Sequence, residues 1–152
     1  MKIESYLTES PLFAVTKAAR ALDASLDHAL KGEGLTFFQG LVLAAIFFED
    51  PAMASPSQLA EAFSTTRGNM SHCLSLIEAR GFVRRQVDQD DARVFRIAIK
   101  PEGKKCALRL IRTFDGLQNG LERELGVRTV RQTLRTIGRI EALCETLTAK
   151  QG

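Results

Sequence analysis

The decapeptide DQDDARVFRI, residues 88–97, places three carboxylates and two arginines within ten residues. The carboxylates belong to Asp88, Asp90 and Asp91, and the arginines follow at positions 93 and 96. Clustered carboxylates can hold a divalent cation, act as an acid/base pair, turn the chain or orient a neighbouring arginine. The elements on either side of the stretch decide among these uses.

Metal binding and acid/base chemistry are the weaker interpretations of this cluster. A calcium loop needs further oxygen ligands, a glycine at its sharp turn and a closing glutamate, and the stretch supplies none of these. An acid/base pair needs a surrounding pocket, which a five-residue hairpin tip does not offer. We therefore expect no metal and no cofactor, and we interpret Asp88 and Asp90 as solvated turn residues. His72 has no serine or cysteine at a credible position to activate, so an enzyme is not expected either.

Bulk properties allow one domain or one domain with an appendage, since the chain has 152 residues. The net charge of +3 is too small to name a nucleic-acid partner by itself. The charge is uneven, however: residues 1–50 hold four Lys/Arg and seven Asp/Glu, whereas residues 102–152 hold ten and six. The basic excess therefore lies in the C-terminal half.

Cysteine usage and hydropathy favour a cytoplasmic protein without a membrane anchor. Cys73, Cys106 and Cys144 form no CxxC pair, their number is odd, and no secretory leader precedes them. The longest apolar run, residues 40–48, is far shorter than the roughly 18 residues of a membrane span. We expect a buried helix there.

Capping and turn signals divide the first half of the chain into helices. Ser10-Pro11 predicts a helix start, and Gly32 and Gly34 predict its end. Thr36 with Gln39 forms a capping box that opens a helix over residues 37–48. Because this helix is apolar nearly all round, we expect it to be buried at the centre of the domain.

A helix pair and a hairpin follow. Ser55 to Gln58 is a second capping box, which opens a helix of about two turns. Thr66 then caps a helix that runs to Arg80 and stops at Gly81, with its inward face made by Met70, Cys73 or Leu74, and Ile77. Residues 82–87 and 93–99 are rich in β-branched and aromatic side chains and predict a β-hairpin with a loop over residues 88–92.

Two further helices, the first starting at Pro101 and separated from the second by Gly126, carry long apolar stripes. Together with the first helix they offer more apolar surface than a small domain can cover, which favours a two-fold homodimer.

The second helix of the pair points to DNA. Its outer face carries short polar or basic side chains, and no acidic residue occurs from Thr65 to Ile77. Such side chains can reach base edges, and a phosphate-lined groove would repel acids. An ordinary polar surface accounts for the face equally well, because helix-turn-helix spacing alone is a loose signal.

The motifs, in order and spacing, resemble those of the MarR family of multiple-antibiotic-resistance regulators. The match covers about residues 35–103, and the flanking helices agree by layout. The matching pieces are Leu35-Thr36 with Gln39 and Leu43, Ser55 to Ala60, Ile77 to Arg85, Asp91-Ala92-Arg93 and Gly103.

This resemblance implies a mainly α fold with a small β wing. The winged helix-turn-helix DNA-binding lobe would span residues 35–100, and N- and C-terminal dimerisation helices would occupy residues 1–34 and 101–152. The implied function is sequence-specific transcription regulation, usually repression, by a cytoplasmic homodimer on a pseudo-palindromic DNA operator.

The resemblance also implies site residues. Arg67, Asn69, Ser71 and His72 would lie in the major groove, Arg93 would enter the minor groove, and Asp91 would hold Arg93. The full expected DNA-binding set is Thr66, Arg67, Gly68, Asn69, Ser71, His72, Ser75, Arg85, Asp91 and Arg93. Ala92 departs from the family, in which many relatives have a second arginine there.

Three alternatives stay open. A small aromatic acid effector would suit Phe13, Phe37 and Phe38, but core packing explains these phenylalanines equally well. Cys106 and Cys144 could sense oxidants as in some relatives, although we expect all three cysteines to pack on apolar faces. A winged-helix module that binds protein rather than DNA would use the same helices, and the salt dependence of binding separates it from a DNA-binding protein.

Overall fold

The computed structural model describes residues 2–88 and 91–149. The elements of these residues are α1 (Lys2–Glu9), α2 (Pro11–Ala29), a 3-10 turn (Lys31–Glu33), α3 (Phe37–Phe48), α4 (Pro56–Ala62), α5 (Arg67–Ala79), β1 (Val83–Val87), β2 (Phe95–Ile99), α6 (Pro101–Leu125) and α7 (Val127–Ala149). The chain forms two compact units, residues 1–111 and 112–152, with the boundary inside α6. The predicted mainly α fold with a small β wing is confirmed.

Both predicted capping boxes are present. The Thr36 hydroxyl accepts the Gln39 N–H at 3.2 Å, and the Gln39 side chain accepts the Thr36 N–H at 3.0 Å. Ser55 and Gln58 make the same exchange at 3.2 and 2.9 Å. Each box satisfies two helix-end donors, which explains why α3 and α4 begin where the sequence predicts.

The core of the first unit forms where α3 and α5 pack together and against the hairpin. The predicted inward face of α5 is confirmed, since Met70, Cys73, Leu74 and Ile77 are all buried. The expectation for α3 needs a correction. Val42, Leu43 and Ile46 are buried, but Phe48, the last residue of the helix, is 69% exposed.

Residues 2–9 form a helix, α1, that no capping or turn signal in the sequence predicted. Its side chains described by the structure are exposed, so it has no buried stripe within one chain. Tyr6 meets Phe13 of α2 edge to face, with ring centroids 6.1 Å apart.

The wing strands pair antiparallel, with Val83 opposite Ile99 and Val87 opposite Phe95. The predicted start of the second strand at residue 93 is wrong by two residues. The Asp88 N–H donates to the Val94 carbonyl at 2.8 Å and closes the turn, so Arg93 and Val94 belong to the loop. The Ile97 N–H donates to the Ala54 carbonyl at 3.0 Å, which ties the hairpin to the segment before α4.

Two glycines are required where the hairpin joins its flanking helices. Gly81 ends α5 with φ +77°, while the N–H groups of Gly81 and Phe82 bond back to the last turn. A Cβ added at Gly103 would lie 2.1 Å from the carbonyl oxygen of Phe82. The first turn of α6 therefore needs a glycine to approach the backbone before β1.

Large apolar side chains remain exposed on the single chain in both units. In the first unit they include Leu12, Phe13 and Leu22 on α2, and in the second unit Leu134, Leu143 and Leu147 on α7. Among the described residues, no helix combines the length and hydropathy that crossing a membrane requires.

Candidate nucleic-acid interface

A tight turn sets the direction in which α5 leaves α4. The Ser64 N–H donates to the Glu61 carbonyl at 3.0 Å, and the Thr65 N–H donates to the Ala60 carbonyl at 2.9 Å. Ser64 adopts φ +47°, the left-handed conformation that such a helix ending requires. These bonds give the two helices a defined helix-turn-helix relationship.

The first turn of α5 is ordered by local hydrogen bonds. The Thr66 hydroxyl accepts the Asn69 N–H at 3.1 Å, as the predicted cap requires. The Asn69 side-chain amide donates to the Thr65 hydroxyl at 2.8 Å. This leaves the amide oxygen of Asn69 available as an acceptor on an exposed surface.

The outer face of α5 is open and polar. Its first two turns expose the four side chains predicted for the major groove, Arg67, Asn69, Ser71 and His72, together with the backbone of Gly68. A Cβ added at Gly68 would meet nothing nearer than the Thr66 hydroxyl at 4.0 Å. Packing therefore does not require this glycine, whereas close approach of a ligand to the helix backbone would explain it.

Arg85 reaches from β1 to brace this helix. Its guanidinium pairs with the Glu78 carboxylate, and its main-chain N–H donates to the same carboxylate at 2.8 Å. Its Nη2 also donates to the Ser75 hydroxyl at 3.0 Å and to the Ser71 carbonyl at 3.3 Å. Two of the predicted DNA-binding residues, Arg85 and Ser75, thus bond to each other within the lobe.

The wing tip presents Arg93 with Asp91 beside it. The Asp91 carboxylate accepts the Arg93 N–H at 2.9 Å and lies 3.6 Å from its Nε. The Arg93 side chain is nevertheless 94% exposed. Its charge is therefore oriented from one side and open to solvent on the others.

The interpretation of Asp88 as a solvated turn residue is wrong. Its side chain is only 13% exposed and lies 2.5 Å from the Nε of Arg96. Its other carboxylate oxygen accepts the Asp91 N–H at 3.1 Å. Partial burial of the carboxylate is tolerated because its charge is paired and hydrogen-bonded. Asp90, with the same predicted role, lies outside the described residues.

The three phenylalanines considered for an effector do not form a common pocket in the described part of the chain. Phe13 is 46% exposed on α2, Phe37 is half-buried at the start of α3, and Phe38 packs edge to face on Phe63 with centroids 5.7 Å apart. An open cleft of about 600 Å³ lies nearby in the first unit and carries Lys31, Arg80 and Asp27 on its walls. None of the three phenylalanines lines this cleft.

The cysteines divide by burial. Cys73 and Cys106 are buried as predicted, and burial raises the pKa of each thiol to about 11. Glu33 adds to the effect at Cys106, since its carboxylate lies 3.5 Å from the sulfur. The expected packing of Cys144 on an apolar face is not seen in the single chain, where it is exposed.

Glu33 itself is held by Arg109, whose Nε and Nη2 donate to its two oxygens at 2.7 and 2.8 Å. These bonds are the main cause that lowers the pKa of Glu33. Across residues 2–88 and 91–149, no three His, Cys, Asp or Glu side chains are grouped so that they could hold a metal ion.

The sequence did not predict the roles of two residues that support the wing, Arg96 on β2 and Gln58 on α4. Arg96 joins Asp88 to Gln58, whose side-chain oxygen lies 3.3 Å from Nη1 of Arg96. The sequence predicts Gln58 only as a capping residue and Arg96 only as part of a charged stretch. Side chains along β2 alternate between the two faces of the sheet. This alternation predicts that Arg96 lies on the face opposite Phe95 and Ile97.

Comparison with solved structures identifies the same arrangement in transcription regulators. The MepR–DNA complex of S. aureus superimposes with a TM-score of 0.82 at 19% identity, over 88% of this chain and 97% of that one. The regulator MosR of M. tuberculosis, in complex with DNA, gives 0.72 at 26% identity, over 90% and 98%. The regulator SlyA gives 0.77 at 23% identity, over 88% and 92%.

Sequence comparison is weaker. The HTH-type transcriptional regulator PrsX of Escherichia coli is 24% identical over 87 residues, which are 57% of this chain and 52% of PrsX. The chain thus spans about half the length of the curated relatives it matches. No established family profile matches the sequence.

MepR, MosR and SlyA are MarR-family regulators, a family that is not enzymatic. Their likeness extends over 88–90% of this chain and 92–98% of each of those chains. The chain therefore has the winged helix-turn-helix fold of the MarR-family transcriptional regulators, as its motifs predicted.

Proposed function

We propose that this protein is a transcriptional regulator that binds a specific duplex DNA operator. The observation that carries the proposal is the pairing of an exposed, acid-free recognition helix, α5, with a wing whose Arg93 is 94% exposed. Short donors and acceptors on α5 suit base edges in the major groove. Arg93 suits the narrow minor groove of A·T-rich DNA, where the negative potential is strongest. The DNA complexes of MepR and MosR support this use of the fold.

The predicted contact residues take different roles in this proposal. Arg67, Asn69, Ser71 and His72 reach bases or phosphates, and Gly68 lets a phosphate approach the backbone near the start of the helix. Thr66 caps the helix, and Arg85 with Ser75 holds it against β1. Asp91 orients Arg93 rather than touching DNA.

The regulator works as a homodimer in this proposal. Large apolar side chains of α2, α6 and α7 stay exposed on the single chain, and a second copy would cover such stripes. The terminal segments 1–34 and 101–152 would supply this contact, and two lobes related by a two-fold axis would read a pseudo-palindrome. Sedimentation equilibrium should give twice the mass of the chain, and a monomer at micromolar concentration would contradict the dimer.

Repression and a small aromatic acid effector complete the proposal, with the cytoplasm as the compartment. The cleft that carries Lys31 and Arg80 offers cations to a carboxylate, although Arg80 already donates to the carbonyls of Glu33 and Gly34. Titration calorimetry with salicylate, on the wild type and on Lys31→Ala, tests the effector. A heat of salicylate binding that is the same in Lys31→Ala as in the wild type would mean that the ligand binds outside this cleft.

Salt dependence tests DNA binding against a protein-interaction module. A fluorescent mixed-sequence duplex should bind at low salt, and log affinity should fall linearly with log salt by about 0.9 per phosphate contacted. Arg67→Ala and Arg93→Ala should each reduce that slope. A chain that binds no duplex at low salt would overturn the proposal.

A further inference from the structure

Arg96 occupies a position between the wing and the helix-turn-helix. Its Nε lies 2.5 Å from the Asp88 carboxylate, and its Nη1 lies 3.3 Å from the side-chain oxygen of Gln58. The same Gln58 oxygen accepts the Ser55 N–H at 2.9 Å in the capping box of α4. One guanidinium therefore links the first turn of α4 to the start of the wing loop.

The link continues from Asp88 to the tip of the wing. The second oxygen of Asp88 accepts the Asp91 N–H at 3.1 Å, and its N–H closes the loop on the Val94 carbonyl. The Asp91 carboxylate in turn accepts the Arg93 N–H. The bonds from Arg96 to Asp88, from Asp91 to Asp88 and from Arg93 to Asp91 all go to a carboxylate, a class that is stronger than bonds between neutral groups.

We propose that Arg96 is a positioning residue for operator binding, which acts on Arg93 through Asp88 and Asp91 without touching DNA. The inference rests on the proposed function and deepens it, because it makes the minor-groove contact depend on a residue of the sheet. The side chains at the inner end of this path are less exposed than those at the wing tip: Asp88 is 13% and Arg96 33% exposed, against 52% at Asp91 and 94% at Arg93. The Arg96 guanidinium already donates to protein acceptors on two sides, the Asp88 carboxylate and the Gln58 side-chain oxygen.

A direct phosphate contact is the alternative role of an arginine in a wing, and charge alone does not separate the two. A positioning role predicts that the effect of Arg96 vanishes when Arg93 is absent. A phosphate contact predicts that the two effects add, because contacts at separate phosphates are independent. A double-mutant cycle distinguishes these outcomes.

The experiment measures affinity for a selected operator duplex over a range of salt, in the wild type, Arg96→Gln, Arg93→Ala and the double variant. Arg96→Gln should weaken binding about tenfold, a loss typical of one charge-assisted hydrogen bond. The salt slope should stay that of the wild type, and in the Arg93→Ala background the further loss should be less than about twofold. Arg96→Lys should recover part of the affinity. Arg84→Gln, which removes an exposed arginine from the neighbouring strand, controls for net charge.

Additive losses, a slope lowered by about 0.9, or an equal loss in Arg84→Gln would each overturn the positioning role. Asp88→Asn cuts the same link from the other side and serves if Arg96→Gln does not fold.

A second readout needs no DNA and keeps this inference separate from the proposed function. Amide hydrogen exchange at Asp91 and Arg93 should quicken in Arg96→Gln, while exchange in the centre of α5 stays unchanged. Unchanged exchange at both amides would contradict the link even if the wild type binds its operator. Faster exchange in a protein that binds no DNA would uphold the link and overturn the proposed function alone.

Discussion

The Asp91 carboxylate accepts the main-chain N–H of Arg93 at 2.9 Å while the Arg93 side chain remains 94% exposed. An acidic residue thus stands at the point where the proposed interface meets DNA phosphates. The Asp91 carboxylate would repel these phosphates, and this repulsion is offset only if the carboxylate fixes the direction of the Arg93 side chain. Substitution of Asp91 therefore tests whether the orientation of Arg93 or the net charge of the wing has the larger effect on DNA affinity.

Asp91→Ala should weaken operator binding about fivefold, although it removes a negative charge near DNA, because the loop loses a hydrogen bond worth about 1 kcal/mol. Fluorescence anisotropy on one duplex at fixed salt measures the change. Glu61→Ala, on the exposed side of α4, is the matched loss of one negative charge and should leave affinity equal or higher. Tighter binding by Asp91→Ala would show that the carboxylate only repels.

Gly68→Ala separates stability from binding in the recognition helix. No atom lies within 4 Å of the added methyl except the Thr66 hydroxyl at that limit. Alanine should therefore raise the free energy of unfolding by about 0.5–1 kcal/mol. Affinity for DNA should fall if a phosphate approaches this backbone. Urea unfolding and anisotropy measure the two effects, and unchanged affinity would remove Gly68 from the interface.

Gly103→Ala makes the same change in the first turn of α6 and should have the opposite effect on stability. The added Cβ would lie 2.1 Å from the Phe82 carbonyl oxygen, so the helix start or the strand must shift. We expect a loss of about 1–3 kcal/mol in the free energy of unfolding. Urea unfolding of Gly103→Ala and Gly68→Ala provides the matched comparison. Equal free energies of unfolding would mean that the contact between residue 103 and the Phe82 carbonyl relaxes at little cost.

The thiols should react in an order set by burial. The pKa of about 11 at Cys73 and at Cys106 leaves both protonated at pH 7.5, and thiols react through the thiolate. Iodoacetamide should therefore label the native protein at Cys144 first, and label the two buried thiols only after unfolding. Peptide mass spectrometry follows each site. Fast native labelling at Cys106 would revive an oxidant-sensing role.

Local signals predicted most of the fold. The boxes Thr36/Gln39 and Ser55/Gln58, the cap at Thr66 and the stop at Gly81 are all interactions between residues close in sequence, and each appears where it was expected. Helix α1 escaped prediction because its described side chains are exposed and leave no buried stripe in one chain.

The sequence predicted the individual residues of the candidate site but not the hydrogen bonds that link the wing to α4. The exposed face of α5 follows from helical phase, and the pairing of Asp91 with Arg93 was expected from a motif. The bonds of Arg96 to Asp88 and Gln58 join residues up to 38 positions apart. Hydropathy and spacing do not predict such contacts, so only the structure shows that the side chain of Asp88 is 13% exposed and paired.

The measurement that tests DNA recognition most directly is a binding selection on random duplex DNA, run in parallel with the wild type and Arg93→Ala. The wild type should enrich a pseudo-palindrome whose half-sites lie about one helical turn, roughly 10 base pairs, apart. Arg93→Ala should keep the major-groove positions and lose preference in the A·T-rich flank that the wing would reach. Failure of the wild type to enrich any sequence at low salt would contradict the account.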